Sequence, residues 1–157
     1  MAKFTKTAPS KAIAKWGADV MDLGYTIVPN ALIRGQARLG LSPSHINVLL
    51  HLISHWWDTE RYPFPAKGSI ATRMSKDKRS VQRYLLELEE AGFITRKARR
   101  GPKGYRLTNE YNLDGLRQKL SSLARDFASD ELAREQRVSQ ALEKPRRGRR
   151  GKAPVRD

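Results

Sequence analysis

The chain has 157 residues, of which 31 are Lys or Arg and 16 are Asp or Glu, so its formal net charge is +15. The hydrophobic content of 39% suits one domain with extensions that remain in solvent. The absence of Cys excludes disulfides, thiolate metal ligands and cysteine nucleophiles. No apolar run approaches the roughly 20 residues that cross a bilayer, and no secretory signal opens the chain. We therefore expect a cytoplasmic protein whose charge favours a polyanionic partner and which has no membrane association.

The charged residues are unevenly distributed. Residues 96–106 contain six Lys or Arg and no acid, and residues 144–156 contain seven and no acid. In contrast, Glu87, Glu89 and Glu90 form an acidic cluster. This pattern predicts one face for a polyanion and another that faces away from it.

The first part of the chain predicts short helices. Helical spacing of apolar residues favours helices over 10–23, 30–38 and 43–57, with a short extended piece between the first two. The third has the strongest signal, because Ser42 is a good N-cap and Pro43 suits the first helical position. Its expected buried face is Ile46, Leu49, Leu50, Ile53 and Trp57.

Two further helices with a tight turn are predicted between Ser69 and Gly92. The first covers 70–74, and Asp77 caps the second. Apolar side chains of the second helix recur at the i, i+3, i+4, i+7 spacing of one buried face. They are Val81, Tyr84, Leu85, Leu88 and Ala91. Gly92 is expected to end this helix.

A short basic hairpin is predicted next. Residues 93–96 are typical of a strand, 101–104 of a turn and 105–107 of a returning strand.

Residues 69–107, SIATRMSKDKRSVQRYLLELEEAGFITRKARRGPKGYRL, resemble the winged helix-turn-helix domains of bacterial transcription regulators and of plasmid and phage replication initiators. The positions that fit the family pattern are the small Ala71, the apolar Met74, the cap Asp77, the apolar Val81 and the helix ending at 88–94. Ser75 stands where the family often has Gly, and Lys76 where it often has an apolar residue. Ser adopts a left-handed backbone less readily than Gly.

The resemblance implies how the domain would meet DNA. The second helix would lie in the major groove with its N-terminal turns against base edges. The first helix and the basic hairpin, which is the wing of this family, would contact the DNA backbone. The implied DNA-binding residues are Ser69, Thr72, Arg73, Lys76, Lys78, Arg79, Ser80, Gln82, Arg83, Arg99, Arg100 and Lys103.

The C-terminal part predicts a helix and a basic tail. Leu116, Leu120, Leu123 and Phe127 form one stripe after Asp114, with a weak point at 129–130. This stripe either packs on the winged domain or forms a homodimer interface. The tail is expected to be disordered and to anchor nucleic acid without specificity, or merely to aid solubility.

The overall prediction is a mainly α protein with a small β-hairpin. Its parts are a basic N-terminal extension with a short helix (1–23), a winged helix-turn-helix domain (24–113), a C-terminal helix (114–142) and a disordered basic tail (143–157).

Catalysis, cofactors and metals are not expected. His51 and His55 lie i, i+4 on a helix, but no Glu follows His51, so the zinc-protease pattern is missing. Neither paired catalytic acids nor a Gly-rich phosphate loop is present.

The predicted function is sequence-preferring binding of double-stranded DNA in transcriptional regulation. A plasmid or phage replication initiator, which would bind a helicase, loader or primase, is the main alternative. A winged-helix protein-interaction module is the next. RNA binding is less favoured, because the aromatic sheet motifs that stack unpaired bases are missing.

Overall fold

The computed structural model describes residues 9–143, so the basic tail and the first eight residues lie outside the described range. The fold is mainly helical with one antiparallel hairpin, as the sequence predicts. The helices are α1 (Ser10–Trp16), α2 (Ala18–Asp22), α3 (Asn30–Arg34), α4 (Pro43–Ser54), α5 (Lys67–Arg73), α6 (Lys78–Glu90) and α7 (Asp114–Glu143). The strands are β1 (Thr95–Lys97) and β2 (Glu110–Asn112), with a 3₁₀ turn, Pro102–Gly104, between them.

The chain divides into two compact units, Met1–Ser121 and Ser122–Asp157. The first unit contains α1 to α6, the hairpin and the first turns of α7, and the second contains the rest of α7. The division lies inside α7, which is continuous through residues 129–130 where the sequence predicts a weak point.

The core of the first unit forms where α6 packs against α4 and α5. Val81, Leu85 and Leu88 of α6 are buried, in agreement with the predicted face. Tyr84 is half-buried, whereas Ala91 is exposed at the C-cap. The other members of the core cluster are Leu32, Leu41, Val48, Leu49, Leu52, Ile70, Ala71, Phe93, Ile94, Tyr111, Leu113, Leu116 and Leu120.

The predicted buried face of α4 is partly wrong. Val48, Leu49 and Leu52 are the buried residues. Leu50 is 37% exposed and Trp57 is 54% exposed. The reason is that the core stripe runs along Val48 and Leu52, which turns Leu50 outward, and that the helix ends before Trp57. The N-terminal cap is confirmed, because the Ser42 side chain accepts a hydrogen bond from the His45 amide.

The helix predicted over 10–23 is broken in two. Gly17 takes φ +87° between α1 and α2, and this left-handed value interrupts the helical hydrogen bonds. Trp16 and Val20, two apolar residues of this segment, are 60% and 52% exposed. The helix predicted over 30–38 ends at Arg34, because the backbone passes into turns.

The ends of α5 and α6 have the same backbone geometry, although one uses Ser and the other Gly. Ser75 has φ +52°, and the amides of Ser75 and Lys76 donate to the carbonyls of Thr72 and Ala71 at 3.2 and 2.9 Å. At the end of α6, Gly92 has φ +72°, and the amide of Phe93 donates to Leu88 at 2.9 Å. Both are Schellman motifs. The turn position singled out in the sequence is therefore left-handed despite its side chain.

The hairpin pairs further along the chain than predicted. Thr95, Arg96 and Lys97 pair with Asn112, Tyr111 and Glu110, respectively. The segment 105–107 instead forms an isolated bridge between Arg106 and Arg100 near the tip. The sequence prediction placed the returning strand directly after the turn, whereas the buried Tyr111 fixes the register in the core.

The start of α7 touches the end of α6 through backbone. The Leu116 amide donates to the Phe93 carbonyl at 2.8 Å. A Cβ on Gly115 would collide with the Gly92 carbonyl oxygen. This contact therefore requires Gly at position 115.

We expect Ser75→Gly to raise the free energy of unfolding by about 0.5–1 kcal/mol, because Gly removes the penalty of a left-handed backbone. Urea denaturation monitored by circular dichroism measures the change. Gly92→Ala is the matched control and should lower stability by about 1–2 kcal/mol. Its added Cβ meets nothing nearer than Lys119 Cε at 3.8 Å, so the loss comes from backbone alone. A destabilised Ser75→Gly variant would contradict the left-handed assignment.

Candidate nucleic-acid interface

The α5–turn–α6 pair presents a polar surface, and the cap of α6 organises one end of it. The Asp77 carboxylate accepts from the Ser80 hydroxyl at 2.7 Å and from the Ser80 amide at 2.8 Å. These hydrogen bonds hold the pKa of Asp77 below its ordinary value. Ser80, one of the predicted DNA-binding residues, therefore has its hydroxyl engaged in the cap.

The outward face of α6 carries four of the predicted DNA-binding residues. Lys78, Arg79, Gln82 and Arg83 are exposed, on the side of the helix opposite Val81 and the rest of its buried face. Two shallow grooves flank them. One is lined by Asp77, Arg79, Ser80, Gln82, Arg83 and Leu86. The other is lined by Ala66, Gly68, Ser69, Thr72, Arg73 and Lys78. The structure thus brings eight of the twelve predicted residues onto two adjoining grooves, and Lys76 lies exposed in the turn between the helices.

Some of these side chains have internal partners. Gln82 Oε1 accepts a hydrogen bond from Lys67 Nζ at 3.2 Å. The Thr72 hydroxyl donates to the Gly68 carbonyl one turn earlier at 3.0 Å. Within residues 9–143, Arg79 has no ion-pair partner. Arg79 therefore keeps its full charge toward solvent.

Glu87 of the acidic cluster contacts both His45 and one of the predicted DNA-binding residues, Arg83. Because His45 Nδ1 accepts from the Ser42 amide, its Nε2 carries the proton and donates to Glu87 Oε2 at 2.7 Å. Arg83 Nε lies 3.8 Å from the other Glu87 oxygen, a weak i, i+4 pair on the surface. Among residues 9–143, neither Lys78 nor Arg79 forms an ion pair with an acidic side chain.

Glu89 forms an ion pair with Arg96, one of the cations in the basic run of residues 96–106. The Arg96 amide donates to Glu89 Oε1 at 2.9 Å, and Arg96 Nε donates to Oε2 at 2.6 Å. Desolvation raises the pKa of Glu89, but the hydrogen bonds and charge of Arg96 outweigh it and the pKa falls below its ordinary value. Arg96 therefore braces the base of the hairpin.

The three predicted wing residues occupy different environments. Arg100 and Lys103 are exposed, and Arg100 Nη1 donates to the Gly104 carbonyl at 3.4 Å. Arg99 is half-buried, with its guanidinium carbon 4.1 Å from the centre of the Phe64 ring.

Sequence reasoning missed Lys67 and Phe64. The prediction began the first helix at Ser69, whereas α5 begins at Lys67, so Lys67 was not placed beside the recognition surface. Phe64 stands between two prolines, in the segment between predicted helices for which the sequence analysis gave no helix or strand. An aromatic residue between two prolines was the only feature of the sequence that could have singled out Phe64. No helical or strand spacing links it to Arg99.

Among residues 9–143, no group of three or more His, Cys, Asp or Glu side chains is placed to hold a metal ion. In the same range, no helix is both long enough and apolar enough to cross a membrane.

Comparison with known proteins identifies the domain. Residues 39–94, which include α4, α5 and α6, match a family model described as a helix-turn-helix domain. None of the curated proteins matches the chain significantly.

The chain is similar to several solved structures, to different degrees. The N-terminal domain of the DnaD protein from Geobacillus kaustophilus HTA426 has a TM-score of 0.53 and 23% identity, covering 78% of this chain and 96% of that one. A possible transcriptional regulator from Methanosarcina mazei Go1 has a TM-score of 0.44 and 17% identity, covering 66% of this chain and 82% of that one. A MarR/EmrR family transcriptional regulator from Acinetobacter sp. ADP1 has a TM-score of 0.39 and 20% identity, covering 87% of this chain and 82% of that one.

The helix pair, the turn between its helices and the hairpin together give the chain a winged helix-turn-helix fold. Within this fold, residues 39–94 match the helix-turn-helix domain model.

Proposed function

We propose that the chain binds double-stranded DNA with a sequence preference and acts as a non-enzymatic transcriptional regulator by occupying its site. The observation that supports this most is the two-sided character of α6. One face is buried in the core, and the other presents Lys78, Arg79, Gln82 and Arg83 to solvent. The helix is 13 residues long and starts with Lys78 and Arg79, so in the proposed complex its N-terminal turns would meet the bases.

The exposed side chains have the chemistry of base readers. An Arg guanidinium donates two parallel hydrogen bonds to guanine O6 and N7. Gln pairs with adenine by donating to N7 and accepting from the N6 amino group. Gln82 Oε1 accepts from Lys67, and its second lone pair leaves it able to accept from adenine as well. Lys67 would then lie beside the contacted base.

Phosphate contacts come from the elements on either side. Ser69, Thr72 and Arg73 on α5, with Lys76 in the turn, would contact the backbone next to the major groove. Arg99, Arg100 and Lys103 extend the positive surface along the wing. Neutralising about 6–10 phosphates makes affinity fall by roughly 10³–10⁵ between 50 and 200 mM salt.

The replication-initiator alternative uses the same groove chemistry. Binding to a helicase, loader or primase would favour it over transcriptional regulation. The protein-interaction alternative predicts no salt-sensitive shift of duplex DNA.

Dimer formation through α7 stays part of the proposal. A twofold protein reads a palindromic site, with half-sites about one helical turn or a multiple apart. The proposed setting is the cytoplasm, at the nucleoid.

Selection of bound sequences from a random duplex pool tests the proposal directly. The expected result is an enriched motif whose affinity exceeds that of random duplex and falls steeply with salt. A palindromic motif would also support the dimer. Recovery of random sequences would contradict the sequence preference, and the absence of any salt-sensitive shift would contradict DNA binding itself.

Arg79→Ala and Arg83→Ala should each reduce discrimination between the selected site and random duplex by about 1–3 kcal/mol, because each removes donors to base edges. Fluorescence anisotropy on both duplexes measures the difference. Arg134→Ala, an exposed position on α7, is the charge-matched control and should leave discrimination unchanged. Equal losses on both duplexes would mean that the two arginines contact phosphate alone.

Removal of residues 144–157 should weaken binding to the selected and random duplexes by a similar factor and reduce the salt slope. The physical reason is that this segment contains seven Lys or Arg and a single acid, so its removal takes away positive charge that would contact phosphates. Affinities measured across a salt series give the slope. A slope equal to that of the full chain would show that the segment does not contact DNA.

A further inference from the structure

The wing arginine Arg99 is held by an aromatic ring. Its guanidinium carbon lies 4.1 Å from the centre of the Phe64 ring, within the range of a cation–π contact. Its backbone is also fixed, because the Arg99 carbonyl accepts from the Leu107 amide at 3.0 Å. Both the main chain and the side chain of Arg99 therefore have defined positions before any ligand arrives.

The segment that carries Phe64 is itself braced against the hairpin and α7. The Tyr111 amide donates to the Pro63 carbonyl at 2.8 Å, and the Tyr62 hydroxyl donates to Asp114 Oδ2 at 2.8 Å. Pro63 and Pro65 are buried on either side of Phe64, and proline restricts the backbone on both sides of the ring. Phe64 thus provides a firm support rather than a side chain on a free loop.

The ring contact leaves the charge of Arg99 available. Phe64 is neutral and carries no carboxylate or carbonyl acceptor on its side chain, so the guanidinium N–H donors remain available for a phosphate. Within residues 9–143, no carboxylate forms an ion pair with Arg99. Arg96 in the same basic run is instead neutralised by Glu89. Arg99 is therefore both restrained and electrostatically unsatisfied.

We propose that Phe64 is a positioning residue, which preorganises Arg99 to bind a phosphate of the duplex backbone at the wing. This inference rests on the proposed DNA-binding function and extends the interface to the segment before α5. Holding the side chain in place in the free protein lowers the entropic cost of forming the phosphate contact.

The test is a double-mutant cycle on duplex binding. Phe64→Leu removes the ring and keeps apolar bulk, and we expect about two- to fivefold weaker binding, from the usual strength of an exposed cation–π contact. The salt slope should fall by up to about 0.9 if the phosphate contact is lost. Phe64→Tyr keeps the ring and should bind like the wild type. In an Arg99→Ala background, Phe64→Leu should have no further effect.

Two further variants separate positioning from folding. Arg99→Lys keeps the charge but loses the planar guanidinium, so it should resemble Phe64→Leu without any change at position 64. Arg100→Ala is the matched control, because Arg100 has no ring partner among the described residues, and Phe64→Leu should keep its full effect in that background. Thermal unfolding of each variant confirms that the domain is intact.

Three results would overturn the inference while leaving DNA binding in place. They are wild-type affinity for Phe64→Leu, an undiminished effect of Phe64→Leu when Arg99 is Ala, and wild-type affinity for Arg99→Lys. If the wild-type chain shows no salt-sensitive duplex binding, the proposed function fails, and this inference fails with it.

Discussion

Burial of one face of α6 is the constraint on which the rest of the molecule depends. Val81, Leu85 and Leu88 are almost completely buried, and each such side chain contributes about 1.5–3 kcal/mol of transfer free energy relative to exposure. With that face committed to α4 and α5, the helical period places Arg79, Gln82 and Arg83 on the other side. The exposed polar face of α6 is thus a consequence of core packing, and its residues need no stabilising contacts of their own.

The contacts of α6 also keep most of its acidic residues away from the exposed cations at its N-terminus. An acidic cluster on the same helix can otherwise neutralise the exposed basic surface. Glu87 and Glu89 avoid this because His45 and Arg96 bind them, one at the scaffold helix and one at the base of the hairpin. Arg79 keeps its charge as a result. Exposed pairs such as Arg83 with Glu87 contribute little to stability, so Arg83 can leave Glu87 for a stronger partner at small cost.

The features that sequence predicted are those encoded locally. Asp77, the apolar spacing of α6 and Gly92 lie within one helix and its two ends, so propensity and capping chemistry specify them. The left-handed backbone at Ser75 was not predicted, because the sequence has Ser where the family often has Gly.

The features that sequence did not predict depend on contacts between distant segments. The register of β2 is set by the burial of Tyr111, not by the turn residues before it. The outward position of Leu50 follows from which stripe of α4 meets α6. The contacts of Phe64 with Arg99 and of Lys67 with Gln82 join residues that no helical or strand period connects.

The contact of Gly115 with Gly92 bears on which parts of the domain can vary. Two peptide groups meet there without intervening side chains, so the packing of α7 on the end of α6 does not involve the side chains on the outer face of α6. Substitutions on that face can therefore change its chemistry while this backbone contact stays in place.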